Sequence, residues 1–241
     1  MKKLKDIPAI ILAGGLGKRI KSATSDIPKP LIKVGGCNLI EHNIFNLKKA
    51  GVKGVVISLG YKGEMIKEYF GNGKKYGLRI NYIKDPYLLG DAGAFKYAYD
   101  RIAGTVILAN SDEIREGLNL EEMLEFHIKK KALSTMAVIE QQDITNHGIV
   151  EVNKMEKITS FMMNPSFKET NSCYANSGLY LMEKKILTYF PDGHSMMEAI
   201  LEKIVNSKKA YAFIFEGAYF NVGTPEILKK ANKYFDGLKQ I

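Results

Sequence analysis

Between Ile10 and Leu31 the chain reads Ile-Ile-Leu-Ala-Gly-Gly-Leu-Gly-Lys-Arg-Ile-Lys-Ser-Ala-Thr-Ser-Asp-Ile-Pro-Lys-Pro-Leu. The apolar run Ala9–Ala13, ending on Leu12 and Ala13, passes straight into Gly14, Gly15 and Gly17. Lys18 and Arg19 follow at once. Ten residues after Arg19 stands Lys29, held between Pro28 and Pro30. A buried strand that ends in a glycine turn leaves backbone N–H groups bare, and these are natural partners for phosphate oxygens. Fixed cations beside such a turn neutralise a polyphosphate.

Two better-known glycine motifs fail on spacing. A dinucleotide fingerprint counted from Gly15 and Gly17 needs its third glycine where Ile20 stands. A P-loop ending in Gly17-Lys18 needs a glycine where Leu12 stands. An ordinary strand-to-helix turn accounts for the glycines but leaves Arg19 and Pro28-Lys29-Pro30 unexplained.

With those residues in view, the segment resembles the signature of the sugar-1-phosphate nucleotidylyltransferases, Leu-Ala-Gly-Gly-x-Gly-x-Arg followed by Pro-Lys-Pro. Molybdopterin guanylyltransferases share the first half but lack Pro-Lys-Pro. The resemblance implies that Leu12, Ala13, Gly14, Gly15, Gly17 and Lys18 wrap a nucleoside triphosphate. It implies that Arg19 binds the phosphates and that Lys29 contacts the phosphoryl group under attack.

Further segments extend it. Asn110-Ser111-Asp112 follows an apolar strand directly, and a carboxylate at a strand's C-terminal end suits a magnesium ion bridging phosphates. The triplet resembles the family's Asn-Gly-Asp, whose aspartate holds magnesium; an Asx turn is the plainer alternative. Leu89-Gly90-Asp91-Ala92-Gly93-Ala94 resembles Leu-Gly-Thr-Ala-Gly-Ala, the loop beside base and ribose. A carboxylate at Asp91 accepts two hydrogen bonds from a guanine edge, which tilts the expectation to GTP. Asp91 as the N-cap of the following helix stays open.

In the second half, Gly148 resembles the glycine whose backbone approaches the sugar. Asn176 resembles the asparagine that faces the acceptor. Phe220-Asn221-Val222-Gly223-Thr224-Pro225-Glu226 resembles the end of the catalytic core. There Asn221 replaces the family's second magnesium aspartate; one carboxylate plus phosphates and water can still hold the ion. Met163 and Asn164 replace a sugar-binding glutamate and a phosphate-binding lysine. That departure predicts poor use of glucose 1-phosphate and better use of a deoxygenated or otherwise unusual phosphorylated acceptor.

These residues need a scaffold. Apolar runs alternate with amphipathic segments, the pattern of an α/β sheet with helices on both faces. Strands are predicted over 7–13, 52–59, 78–83, 105–109, 133–140, 148–152, 158–163, 174–182 and 210–215. Helices are predicted over 39–50, 64–70, 92–102, 120–131, 196–206 and 225–235. The expected fold is a Rossmann-like three-layer α/β sandwich with a mixed, mostly parallel central sheet. The 241 residues read as one domain, with a nucleotide-binding half over about 1–132 and an acceptor-binding half over about 133–241.

Composition narrows the rest. No apolar run nears the ~18 residues of a membrane helix, and the polar start Met1–Asp6 is no secretory leader. Cys37 and Cys173 have no paired spacing, so a cytoplasmic protein with reduced thiols is expected. The net charge of +9 is spread along helix faces without interleaved aromatics, which speaks against nucleic acid as a partner. The sequence leaves a homo-oligomer open.

The expected activity is magnesium-dependent transfer of a nucleoside monophosphate from a triphosphate to a sugar 1-phosphate or related acceptor, with release of pyrophosphate. The alternative is a nucleotide-binding regulatory subunit of the same fold that has lost turnover, which Asn221, Met163 and Asn164 favour.

Overall fold

A computed structural model describes residues 2–15, 17, 20 and 27–238. Chain order in the first half is β1 (Ala9–Ala13), β2 (Lys33–Val34), β3 (Cys37–Asn38), α1 (Leu39–Lys49), β4 (Gly54–Leu59), α2 (Gly63–Phe70), β5 (Arg79–Lys84), α3 (Gly90–Tyr99), β6 (Val106–Asn110), β7 (Glu113–Glu116) and α4 (Leu120–Lys130). The second half follows with β8 (Ser134–Glu140), β9 (Gly148–Val152), β10 (Ile158–Met163), β11 (Tyr174–Met182), α5 (Met197–Asn206), β12 (Ala210–Ile214), β13 (Ala218–Asn221) and α6 (Pro225–Leu238).

One sheet spans both halves of the chain. Its order is β5-β4-β1-β6-β11-β9-β10, with β8 also paired to β11 and β12 to β8. The strands β1, β4, β5, β6, β8, β9 and β12 share one direction, while β10 and β11 run against it. The mixed, mostly parallel sheet is therefore present, with its unbroken parallel part in β5-β4-β1-β6.

Alternation along β1 shows why the layers form. Ala9, Ile11 and Ala13 join a core with Ile40, Ile44 and Leu47 of α1, Phe70 of α2 and Met123 of α4. Ile10 points the other way, into a core with Phe95 and Tyr99 of α3 and Ile200, Leu201 and Ile204 of α5. A period of two along the strand thus meets a helical stripe on each face. Helix α1 starts sharply because Asn38 and Glu41 form a capping box, with Asn38 N–H donating to Glu41 Oε2 at 2.8 Å.

Four short strands depart from expectation. β2 and β3 form a hairpin, and β7 pairs antiparallel with β13. β7 reads Glu-Ile-Arg-Glu, a charged stretch without strand character in sequence. It is nevertheless buried, because Arg115 neutralises Glu113 at 2.8 Å and also donates to Asn43 Oδ1 and the Ser177 carbonyl. Among the described residues no helix is long and apolar enough to cross a membrane.

Candidate active site

The C-terminal ends of β1, β4, β5 and β6 surround a cavity of about 500 Å3. This is where ligands bind in open α/β sheets. Leu12, Gly14 and Gly15 leave β1 on one side, and Asn110, Ser111 and Asp112 leave β6 on the other. The two exits are tied together, with Ser111 N–H donating to the Leu12 carbonyl at 3.2 Å.

Lys29 sits on this floor. Its Nζ donates to Asp112 Oδ2 at 2.5 Å, and its side chain is only 11 % exposed. It is thus far more enclosed than a loop cation in solvent. Gly17, at φ +60°, explains the placement: a Cβ there would stand 3.2 Å from the Lys29 Cβ, so the bare glycine seats the lysine stem. Lys18 and Arg19 lie outside the described residues.

Asp112 and Asn221 come together through strand register. Asn221 lies opposite Glu113 in the β13–β7 pair, and Val222 N–H donates to the Asp112 carbonyl at 3.0 Å. Among the described residues no group of three or more His, Cys, Asp and Glu forms a metal cage. The donor set here is one carboxylate, 31 % exposed, with Asn221 on the adjoining strand. That set fits a hard, oxygen-seeking ion that takes its other ligands from phosphates and water.

Asp91 takes the N-capping role that the sequence left open. It lines the cavity, as Gly90 does, but its Oδ1 accepts from Met197 N–H at 2.7 Å and from Ala92 N–H at 2.8 Å. That oxygen joins the starts of α3 and α5.

A different carboxylate also lines the cavity. Asp85 follows β5, with its N–H on the Leu59 carbonyl, and lines the cavity with Ser58. A Cβ on Gly14 would lie 3.7 Å from Asp85 Oδ2. Burial raises the Asp85 pKa above the usual carboxylate value, and the Ser58 hydroxyl, 3.3 Å from Oδ1, partly offsets this. The glycine loop therefore has a partly desolvated carboxylate beside its first glycine and the Lys29 stem beside its third. Asp85 was absent from the sequence reading. The available signal was its place just past a predicted strand of the parallel sheet.

The pocket also draws on the second half of the chain. His194 and Met196 line it, and Ser195 N–H donates to the Leu89 carbonyl at 2.8 Å. With Leu88, 74 % exposed, Met196 supplies an apolar rim that a purine ring can cover.

The expected acceptor residues fall at the β9–β10 end. Met163 lies opposite Gly148, and a Cβ on Gly148 would meet the Phe161 ring at 2.8 Å and Met163 Sδ at 3.1 Å. Packing by β10 is thus one reason for that glycine. Asn164 N–H donates to the His147 carbonyl at 2.8 Å. Asn176 sits at a register shift of β11, where its Nδ2 donates to the Tyr180 hydroxyl and its Oδ1 accepts from Gly178 N–H. Its amide is largely committed to holding that irregularity.

The sequence reading also missed Glu113. It is buried beside Asp112 and held by Arg115, and desolvation, only partly offset by Arg115, pushes its carboxyl up to about 7.

Comparison with known proteins defines the class. A family model described as nucleotidyl transferase matches residues 8–236, and the chain belongs to that family. A D-glycero-alpha-D-manno-heptose 1-phosphate guanylyltransferase of Aneurinibacillus thermoaerophilus is 33% identical over 228 residues, covering 93% of this chain and 96% of the relative. The crystal structure of HddC from Yersinia pseudotuberculosis complexed with GMP-PN superposes with a TM-score of 0.80 at 27% identity, covering 95% of this chain and 99% of that one. A putative glucose-1-phosphate thymidylyltransferase from Bacillus anthracis shares the fold, with a TM-score of 0.86 at 23% identity and 95% of each chain covered.

Proposed function

We propose that this protein is a guanylyltransferase that moves GMP from GTP to a sugar 1-phosphate, with a D-glycero-α-D-manno-heptose 1-phosphate as the acceptor. The observation that carries the reading is the cavity itself: a glycine loop with Asp85 at one end and the Lys29–Asp112 pair at the other. The relative from Aneurinibacillus thermoaerophilus, matched over nearly its full length, supports the choice of base and acceptor. The regulatory alternative draws no support from it, since that relative is named as an enzyme.

The chemistry needs alignment of two anions rather than a covalent intermediate. Asp85 takes the guanine N1–H and N2–H donors. Gly14, Gly15 and Gly17 cradle the triphosphate. Lys29 leaves Asp112 for the α-phosphoryl oxygens, where negative charge grows as the acceptor phosphate attacks and pyrophosphate departs. Arg19 holds the pyrophosphate side. Asp112, with Asn221 as a neutral second ligand, would hold magnesium, which supplies Lewis-acid polarisation of the phosphates when bound. Gly148, Met163, Asn164 and Asn176 border the acceptor.

The test is pyrophosphate release across the four common nucleoside triphosphates and a panel of sugar 1-phosphates. GTP with the heptose 1-phosphate should exceed every other pair by at least tenfold. Equal rates with all four triphosphates would refute the assignment of the base, and no release with any acceptor would refute the activity.

A further inference from the structure

A second cavity, about 550 Å3, opens where β8 and β12 begin and β11 ends. β8 and β12 run in the direction of β6, so this is the edge of the sheet opposite the nucleotide pocket. Five lysines line it, Lys2, Lys131, Lys184, Lys185 and Lys209, against one carboxylate, Glu183.

That carboxylate is already used. Glu183 Oε1 accepts from Lys2 Nζ at 2.6 Å and from the Thr105 hydroxyl at 2.8 Å, and lies 3.1 Å from Nε2 of the buried His127. Lys184 Nζ donates to the Tyr99 carbonyl and lies over the Tyr99 ring. Lys131, Lys185 and Lys209 are exposed, and their ammonium groups have no acceptor among the described residues.

The backbone keeps these charges together. Leu133 N–H donates to the Lys209 carbonyl at 2.9 Å, and Glu183 N–H donates to the Leu133 carbonyl at 3.0 Å. Three segments that each carry a lysine are thereby fixed around one opening. Gathering like charges raises the energy of the free protein, and a multivalent anion would relieve it.

We propose that this cavity binds a small polyphosphate anion, at a site separate from the nucleotide pocket. Lysines act as phosphate-seeking point charges, and several of them suit several phosphoryl groups. Among the described residues no Phe, Tyr or Trp lines the cavity, so a nucleoside base would find no ring to stack on. The ligand is therefore of the pyrophosphate or tripolyphosphate type.

The experiment is calorimetric titration of the full chain with inorganic tripolyphosphate, without divalent metal. The triple variant Lys131→Glu, Lys185→Glu, Lys209→Glu is compared with a charge-matched control, Lys49→Glu, Lys53→Glu, Lys67→Glu. A milder pair, Lys185→Gln with Lys209→Gln, guards against misfolding. The cavity triple variant should bind one equivalent fewer than the parent, and the control should bind as the parent does. The milder pair should weaken that one site by roughly tenfold or more, as expected for losing charge-assisted contacts. Unchanged stoichiometry and affinity in the cavity variants, or an equal loss in the control, would overturn the site. So would lysine-dependent retention on nucleic acid or anionic vesicles with no tripolyphosphate binding.

Discussion

Asp85→Asn changes one oxygen of the cavity into an N–H donor and removes a charge, while volume and backbone stay the same. In the free protein this carboxylate is partly desolvated, with the Ser58 hydroxyl 3.3 Å from Oδ1. Two N–H donors of guanine would satisfy it; an asparagine amide meets one of them donor to donor. A hydrogen bond to a charged group is worth about 1.5–3 kcal/mol, so kcat/KM for GTP should fall by roughly 10- to 150-fold. Rates with ATP, which has no paired donor edge of this kind, should change by far less. The stability of the variant should equal or exceed the parent's, because a desolvated carboxylate is replaced by a neutral amide. The assay is pyrophosphate release at saturating acceptor with each triphosphate, beside a thermal melt. A folded Asp85→Asn variant that keeps the parent's preference for GTP would refute the assignment of base reading to Asp85.

Other outcomes follow from the same geometry. Lys29→Ala should lower turnover by roughly a hundredfold or more, the usual cost of one electrostatic stabiliser, with the fold intact by circular dichroism. Asn221→Asp should retain activity and reach half-maximal rate at lower magnesium, as a titration of the metal would show. Met163→Glu with Asn164→Lys should raise turnover of glucose 1-phosphate relative to the heptose 1-phosphate, read from competing product yields. Burial lowers the His127 pKa, against the opposing pull of Glu183, so the folded protein resists protonation there. The stability due to neutral His127 is complete above its unfolded pKa of about 6.5 and is lost as pH falls toward the lower folded value. The difference in melting temperature between parent and His127→Gln should therefore shrink from pH 7.5 to pH 5.5.

The parallel half of the sheet was readable because β1, β4 and β6 are short apolar runs, and β9, β10 and β11 also matched their predicted limits. The glycine loop and Asp112 were readable because each adjoins such a strand in sequence, and Lys29 because prolines flank it on both sides. β7 was not: Glu113, Arg115 and Glu116 read as a polar loop until Arg115 is seen to satisfy Glu113, Asn43 and Ser177 at once. The amides of Asn43 and Asn46 donate to the Glu113 and Arg115 carbonyls and clamp β7 to α1. Asp85 escaped notice because its role depends on β5 lying beside β4 and β4 beside β1, a matter of sheet order. For Asp91 the sequence left a base contact and an N-cap role open, and the second contact of its Oδ1 is not local. Its loop pattern is local, but the α5 N-terminus that takes its oxygen lies 106 residues away.

Guanylyl transfer in this cavity can be followed directly. The most direct measurement incubates the protein with GTP labelled at the α-phosphate, D-glycero-α-D-manno-heptose 1-phosphate and magnesium, and follows the label by chromatography and mass spectrometry. The parent should move the label into GDP-heptose with one pyrophosphate released per product, and Asp112→Asn should move none while still folding. Label that stays in GTP, or that appears in the sugar nucleotide equally fast with Asp112→Asn, would contradict the account.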